Sequence, residues 1–326
     1  MDGFSLTWKR TAGDSVVPVG PGVYFVPVKG SSLAVRSIAL SNLLPKEAVV
    51  ARRTAAWIWG LDVLPPGVDE ADWPVDLITS NKLEPGPATP ASSRSPASSP
   101  PASLGISSSP RGPSPVSADT VELPAEHVVE RAGVRLTSLA RTALDCARWL
   151  PRYEAVAALD QFLRRGVGTD ELAVMARGLR GYRGNKRLRE TIRVGDRGAA
   201  SPGESWTRMA VVESGFPRPH TQVPVMGPHG GWLYIDLGYP ELRVGLEYDG
   251  ERHHTGSGAR THDARRRYWL ATEMGWEVIS VTKHFLYRPA PYMEALLTAL
   301  LQRGWEPDDA TMERLGARLA VLQRRR

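Results

Sequence analysis

The stretch YIDLGYPELRVGLEYDGERHH, residues 234–254, sets Asp236, Glu247 and Asp249 among apolar neighbours and ends on His253 and His254. Read as strand, turn and strand, it decides the fold of the C-terminal half. Side chains alternate along a strand, so Glu247 and Asp249 project to one side while Leu246 and Tyr248 project to the other. The short YPEL turn, 239–242, makes neighbours of the two strands and brings Asp236 toward the same edge. Three crowded carboxylates repel one another and hold their protons unless something positive sits among them. A hard divalent cation fits, because magnesium takes oxygen ligands, keeps several waters and commonly uses one or two carboxylates plus phosphate oxygens. Asp249 has a second reading: Asp249-Gly250 is a favoured turn pair, and a solvated edge acid has no need of a metal.

Working outward, the sequence reads from Ser201 as helix (SPGESWTRMAVVESG), strand (PHTQVPVM), strand (GWLYIDLGY), strand (LRVGLEYDG), helix (RTHDARRRYWLATEMG) and strand (WEVISVT), followed by the helix APYMEALLTALLQR. An α-β-β-β-α-β order suits a small mixed sheet with helices packed on it. Ser201, Pro202 and Glu204 form a capping box, which gives Glu204 a structural role. Arg260, Arg265, Arg266 and Arg267 line the helix that follows the acids, where they either hold phosphates or form a solvated face. Trp269 and Leu270 read as core. A zinc site built from His253, His254 and His262 is disfavoured, because no cysteine is near and adjacent histidines point apart on an extended chain.

The N-terminal half carries a strand preceded by a Gly-Pro-Gly turn in VGPGVYFVPV, 19–28, and helices over SLAVRSIALSNLL and RRTAAWIWGL, the latter closing at Gly60. Apolar residues at three and four spacing place further helices over TSLARTALDCARWL, YEAVAALDQFLRR and TDELAVMARGL. Thr142, Asp145 and Asp160 on these helices read as caps or partners of nearby arginines. Between the strand-like pieces WPVDLITS and VELPAEHVVERAGVRLTS lies a Pro, Ser, Ala and Gly tract, 84–118, which cannot bury enough apolar surface to order itself. It reads as a disordered insertion. The expected organisation is a mainly helical domain with a small strand element over 1–195, a mixed-sheet domain over 196–305 and a basic helical tail over 306–326.

Composition adds bounds. At 326 residues the chain has room for about two domains. Forty-one Lys and Arg against thirty-five Asp and Glu give a formal net charge of +6, compatible with a polyanionic partner. The single cysteine, Cys146, excludes an intramolecular disulfide and reads as a small core residue. No apolar run is long enough for a membrane helix, and MDGFSLTWKRTAGD lacks the apolar core of a secretory signal, so a cytoplasmic location is expected.

The combination of IDLGYPELRVGLEYDGERHH with THDARRRYWLATEMGWEVISVT resembles the PD-(D/E)XK nuclease superfamily. The closer likeness is to the branch related to very-short-patch-repair endonucleases, with Asp on one strand, Glu-x-Asp-Gly-x-x-His on the next and Asp-x-x-Arg opening a helix. It covers roughly residues 198–285. The resemblance implies an α+β fold with a restriction-endonuclease-like sheet. It makes Asp236, Glu247 and Asp249 ligands of Mg2+ or Mn2+, His253 a proton-transfer group, Glu204 a further site residue, Asp263 and Arg266 helix residues near the site, and DNA the partner of Arg260, Arg266 and Arg267. The superfamily's usual lysine is replaced by Asp249, which leaves the general base open. VGPGVYFVPV, ALSNLLPKEAVVARRTAAWIWGL and GVRLTSLARTALDCARWLPRYEAVAALDQFLRRG resemble AbiEi-type antitoxin or regulator modules, with a truncated winged-helix remnant at the start. Two functions are expected from these likenesses: a metal-dependent DNA endonuclease or, alternatively, a DNA-binding regulator or antitoxin-like protein with a non-catalytic nuclease fold.

Overall fold

The protein is seen in a computed structural model that describes residues 17–20, 23–25, 48–63, 75–79, 116–120, 123–131, 133–179, 181–249 and 257–324. The helix read over 32–44, most of the tract 84–118 and His253 lie outside them. The chain groups into two units: residues 1–50 with 71–136, and residues 51–70 with 137–326. The boundary read near residue 196 falls inside the second unit.

In the first unit, β1 (Val17–Gly20) and β2 (Val23–Phe25) pair antiparallel. A five-stranded sheet runs in the order β5-β4-β3-β7-β6, from β3 (Val49–Val50), β4 (Val75–Thr79), β5 (Val116–Thr120), β6 (Val128–Arg131) and β7 (Val134–Thr137). Its β4 and β5 pair in parallel, from Val75 opposite Val116 to Thr79 opposite Thr120. The strand β5 therefore takes in Val116, Ser117 and Ala118, which the sequence reading had placed in the insertion. Val49, Val50, Leu77, Ile78, Val134 and Leu136 are its buried apolar residues.

The second unit begins with α1 (Arg52–Ile58) and closes that turn at Gly60, whose φ of 78° suits a residue without Cβ. Three helices follow where the periodicity places them: α2 (Leu139–Trp149), α3 (Arg152–Arg164) and α4 (Thr169–Gly178). Ser138 caps α2 by accepting from Arg141 N at 3.3 Å. A further helix, α5 (Asn185–Val194), completes a core made by Leu61, Leu144, Leu159, Phe162, Leu172 and Leu188. Cys146 is buried in this core.

Thereafter the order is that read from the sequence: α6 (Pro202–Glu213), β8 (His220–Met226), β9 (Trp232–Tyr239), β10 (Val244–Asp249), α7 (Ser257–Thr272) and β11 (Glu277–Thr282). The short α8 (Lys283–Leu286), then α9 (Ala290–Gln302) and α10 (Asp309–Arg324), end the described chain. The sheet order is β11-β10-β9-β8, antiparallel except for the β10 and β11 pair. Leu237, Val244, Leu246 and Val281 pack with Val211 of α6 and Leu296 of α9. Val223, Val225 and Ile235 pack with Leu270 and Trp276. The fold is α+β, with two mixed sheets, and helices flank the four-stranded one. No helix among the described residues is long and apolar enough to cross a membrane.

The two groups of helices and sheet are joined by charge as well as by apolar packing. Arg208 of α6 and Asp160 of α3 pair at 2.6 Å with side chains 1% and 0% exposed. Arg208 also donates to Val194 O at 2.7 Å, and Asp160 accepts from Asp196 N at 2.7 Å. Asp145 pairs with Arg141 at 2.9 Å, so both acids take the arginine partners expected of them, while the Thr142 hydroxyl instead donates back to Ser138 O at 2.8 Å.

Candidate carboxylate site

The turn Tyr239–Arg243 closes the β9 and β10 hairpin through Leu242 N to Tyr239 O at 3.1 Å. Pairing starts at Val244 opposite Tyr239 and ends at Leu246 opposite Leu237, so Asp236 and Glu247 stand across from each other where the ladder stops. There the Asp236 side chain replaces a backbone partner: its Oδ2 accepts from Tyr248 N at 2.9 Å.

Glu204 reaches the same place from α6. Ser201 caps the helix by accepting from Glu204 N at 3.2 Å, while Glu204 Oε2 accepts from Ala200 N at 2.8 Å. The cap and the site are served by one residue. Gly203 permits this approach, since a Cβ there would stand 2.1 Å from the Tyr248 ring.

Gln222 joins the acids, a role with no signal in the sequence. Its amide donates to Glu204 Oε2 at 3.0 Å and stands 3.5 Å from Asp236 Oδ1. Its φ of 50° lies in the left-handed region, unusual for a residue with a side chain and more so within a strand. The ladder of β8 and β9 pairs Thr221 with Leu237 and Val223 with Ile235, and Gln222 sits between these pairs, opposite Asp236. Strained backbone thus coincides with the acids it serves.

Burial, then the neighbouring Glu204, pushes the Asp236 carboxyl up to about 6. Burial raises Glu204 and Glu247 as well, the latter against the pull of Arg266. Arg266 stands 2.5 Å from Glu247 Oε1 and donates to Tyr234 O at 2.6 Å. That charge contact lacks hydrogen-bond alignment, and the buried Oε1 receives no hydrogen bond. Arg267 is exposed, close enough to Glu247 to favour its charged form.

The sequence-predicted residues therefore divide. Glu204, Asp236 and Glu247 come together; Asp249 ends β10, half exposed, in register with Thr282 of β11. Among the described residues no group of three or more His, Cys, Asp or Glu is arranged to hold a metal ion. Asp236 and Glu247 are the pair that could share a cation, with the Arg266 guanidinium already beside one of them. His253 falls outside the described residues, as do the side chains of Arg260 and Asp263. Leu270 is core as expected, and Trp269 is half-buried, its Nε1 donating to Met226 O at 2.9 Å.

One family model matches ahead of these acids. Residues 48–193 match the family described as AbiEi antitoxin C-terminal domain. An uncharacterized protein of Mycobacterium tuberculosis strain H37Rv is 31% identical over 186 residues, which cover 54% of this chain and 68% of that protein. An uncharacterized protein of strain CDC 1551 matches with the same identity and coverage. No solved structure matches the chain. The antitoxin match ends before Glu204, Asp236 and Glu247.

Proposed function

The chain belongs to one family with these mycobacterial proteins, and from that premise we propose that it is a DNA-binding, antitoxin-like regulator whose C-terminal α-β-β-β-α-β unit serves as a docking module. The observation that carries this reading is the antitoxin-domain match over residues 48–193. The net charge of +6 suits a polyanionic partner. The test is binding of a DNA duplex followed by fluorescence anisotropy at several salt concentrations. Binding should weaken steeply with salt, should occur without cleavage, and should be the same in an Asp236→Asn, Glu247→Gln variant. No duplex binding at any salt would remove the reading.

A second reading has its own support in the clustering of Glu204, Asp236 and Glu247 at the strand ends, with Asp236 raised to about 6. On this reading the protein is a metal-dependent deoxyribonuclease. Asp236 and Glu247 would hold Mg2+ or Mn2+, Glu204 and Gln222 would orient Asp236, and Arg266 would release Glu247 to the cation. The bound cation supplies charge stabilisation at phosphate and a more acidic water. Incubation of plasmid with the protein and Mg2+ or Mn2+ distinguishes the readings. Nicking that is lost in the Asp236→Asn, Glu247→Gln variant favours the enzyme, and equal nicking by both proteins removes it.

A further inference from the structure

The positive charge of the chain is concentrated in one short window. Residues 177–197 hold eight Arg or Lys against two acids, a net charge equal to the +6 of the whole protein. The window centres on α5. Asn185, Leu188 and Thr191 of this helix are buried, and Ile192 packs on the helical core, which fixes the opposite side toward solvent. Lys186, Arg189 and Arg193 are exposed and recur at three and four spacing, so they form one stripe along that outer side. Its rise is about 10 Å. Exposed Arg177, Tyr182 and Arg183 precede the stripe and exposed Arg197 follows it.

The two acids do not neutralise this row. Glu190 lies 3.7 Å from Arg152, and Asp196 pairs with Arg218 at 3.1 Å. Arg187 donates to Leu150 O at 3.2 Å and so anchors the helix. Among the described residues no carboxylate pairs with Lys186, Arg189, Arg193 or Arg197. Like charges held along one helix face repel each other, and nothing in the packing of α5 requires them. Their arrangement is explained by a partner that brings a matching row of negative charge.

We propose that the outer face of α5 is a binding surface for the phosphate backbone of duplex DNA. A rigid straight row of cations matches a rigid strand of regularly spaced phosphates. Contacts of this kind position a protein on DNA and add affinity without reading sequence. The proposal rests on the DNA-binding reading and deepens it by naming the surface, which is remote in sequence from the arginines of α7.

The experiment uses the full chain and a duplex of arbitrary sequence, followed by anisotropy from about 50 to 200 mM salt. In a Lys186→Gln, Arg189→Gln, Arg193→Gln variant the slope of log affinity against log salt should fall by about 2 to 3, and affinity at low salt should drop roughly 10- to 100-fold. An Arg189→Lys, Arg193→Lys variant should keep the native slope, because charge is what the phosphates meet. The single Lys186→Gln change, with a slope loss of about 1, serves should the triple variant misfold. Native slope and affinity in the triple variant, with the loss appearing instead in Arg265→Gln, Arg267→Gln, would overturn the α5 surface and leave DNA binding in place. Absence of duplex binding by the native protein would overturn both, as would binding only to vesicles containing phosphatidylserine.

Discussion

Asp160 and Asp236 are both withdrawn from water in the same unit, yet their company differs. Asp160 meets the Arg208 guanidinium, a backbone N–H from Asp196 and the Ser205 side chain, partners that oppose the upward push burial gives its carboxyl. Asp236 meets Tyr248 N, a distant amide hydrogen and the field of Glu204, which the more remote Arg266 only partly offsets. Burial alone is thus a poor sign of function. The informative acid is the one whose surroundings fail to compensate it, since such an arrangement costs stability and persists for another reason.

The comparison can be broken most severely at Asp160. Asp160→Ala leaves Arg208 buried without its partner, and a loss of about 3–5 kcal/mol is expected in urea denaturation. A loss below about 1 kcal/mol would mean that water or a local shift answers the charge as well as Asp160 does. Next in size is Gly203→Ala, which drives a methyl into the Tyr248 ring and should cost about 1–3 kcal/mol. Much of that cost should return when Tyr248→Leu is added, and a failure to recover would place the strain elsewhere.

The pH dependence sharpens the contrast. Asp236 is raised to about 6 in the folded protein, so the native state holds this proton where the unfolded chain has lost it. Below the unfolded carboxylate value of about 4 both states are protonated and no penalty arises; the penalty enters as pH climbs and is complete above about 6. Stability should therefore fall over that window by on the order of 2–3 kcal/mol, and Asp236→Asn should remove most of the fall. Urea midpoints at pH 4.5 and 7.5 check this. A native protein that gains stability over the same range contradicts the raised value. The smallest effect is expected for Ser201→Ala, about 1 kcal/mol from the lost cap, together with a change in Glu204 that spares Asp160.

Much of this arrangement was legible in advance. Alternation in Leu246-Glu247-Tyr248-Asp249, with a proline-containing turn before it, was enough to pair β9 with β10 and to face Asp236 with Glu247. The Ser201-Pro202 start fixed α6 and gave Glu204 its capping role. The helix α5 was not read, because its inward side offers only Leu188, Thr191 and Ile192 to a periodicity search while arginines fill the rest. Gln222 was equally silent: a left-handed φ inside a strand is imposed by neighbours distant in sequence, and a glutamine carries no mark of it. The pairing of Arg266 with Glu247 depends on how α7 meets the sheet, which no spacing of arginines predicts. The strand at Val116 was absorbed into the low-complexity tract because VSADT has scarcely more apolar content than the tract itself.

The parallel pairing of β4 with β5 has a consequence for anyone who would trim the protein. Strands that run the same way, as β4 and β5 do, cannot be joined by a tight reverse turn and need a crossover connection. The thirty-six positions from 80 to 115 exceed this need, but roughly a dozen are required to bridge the span. Excision down to a Gly-Gly junction would therefore unpick the edge of the five-stranded sheet, whereas a shortened tether of that minimum length should leave it whole.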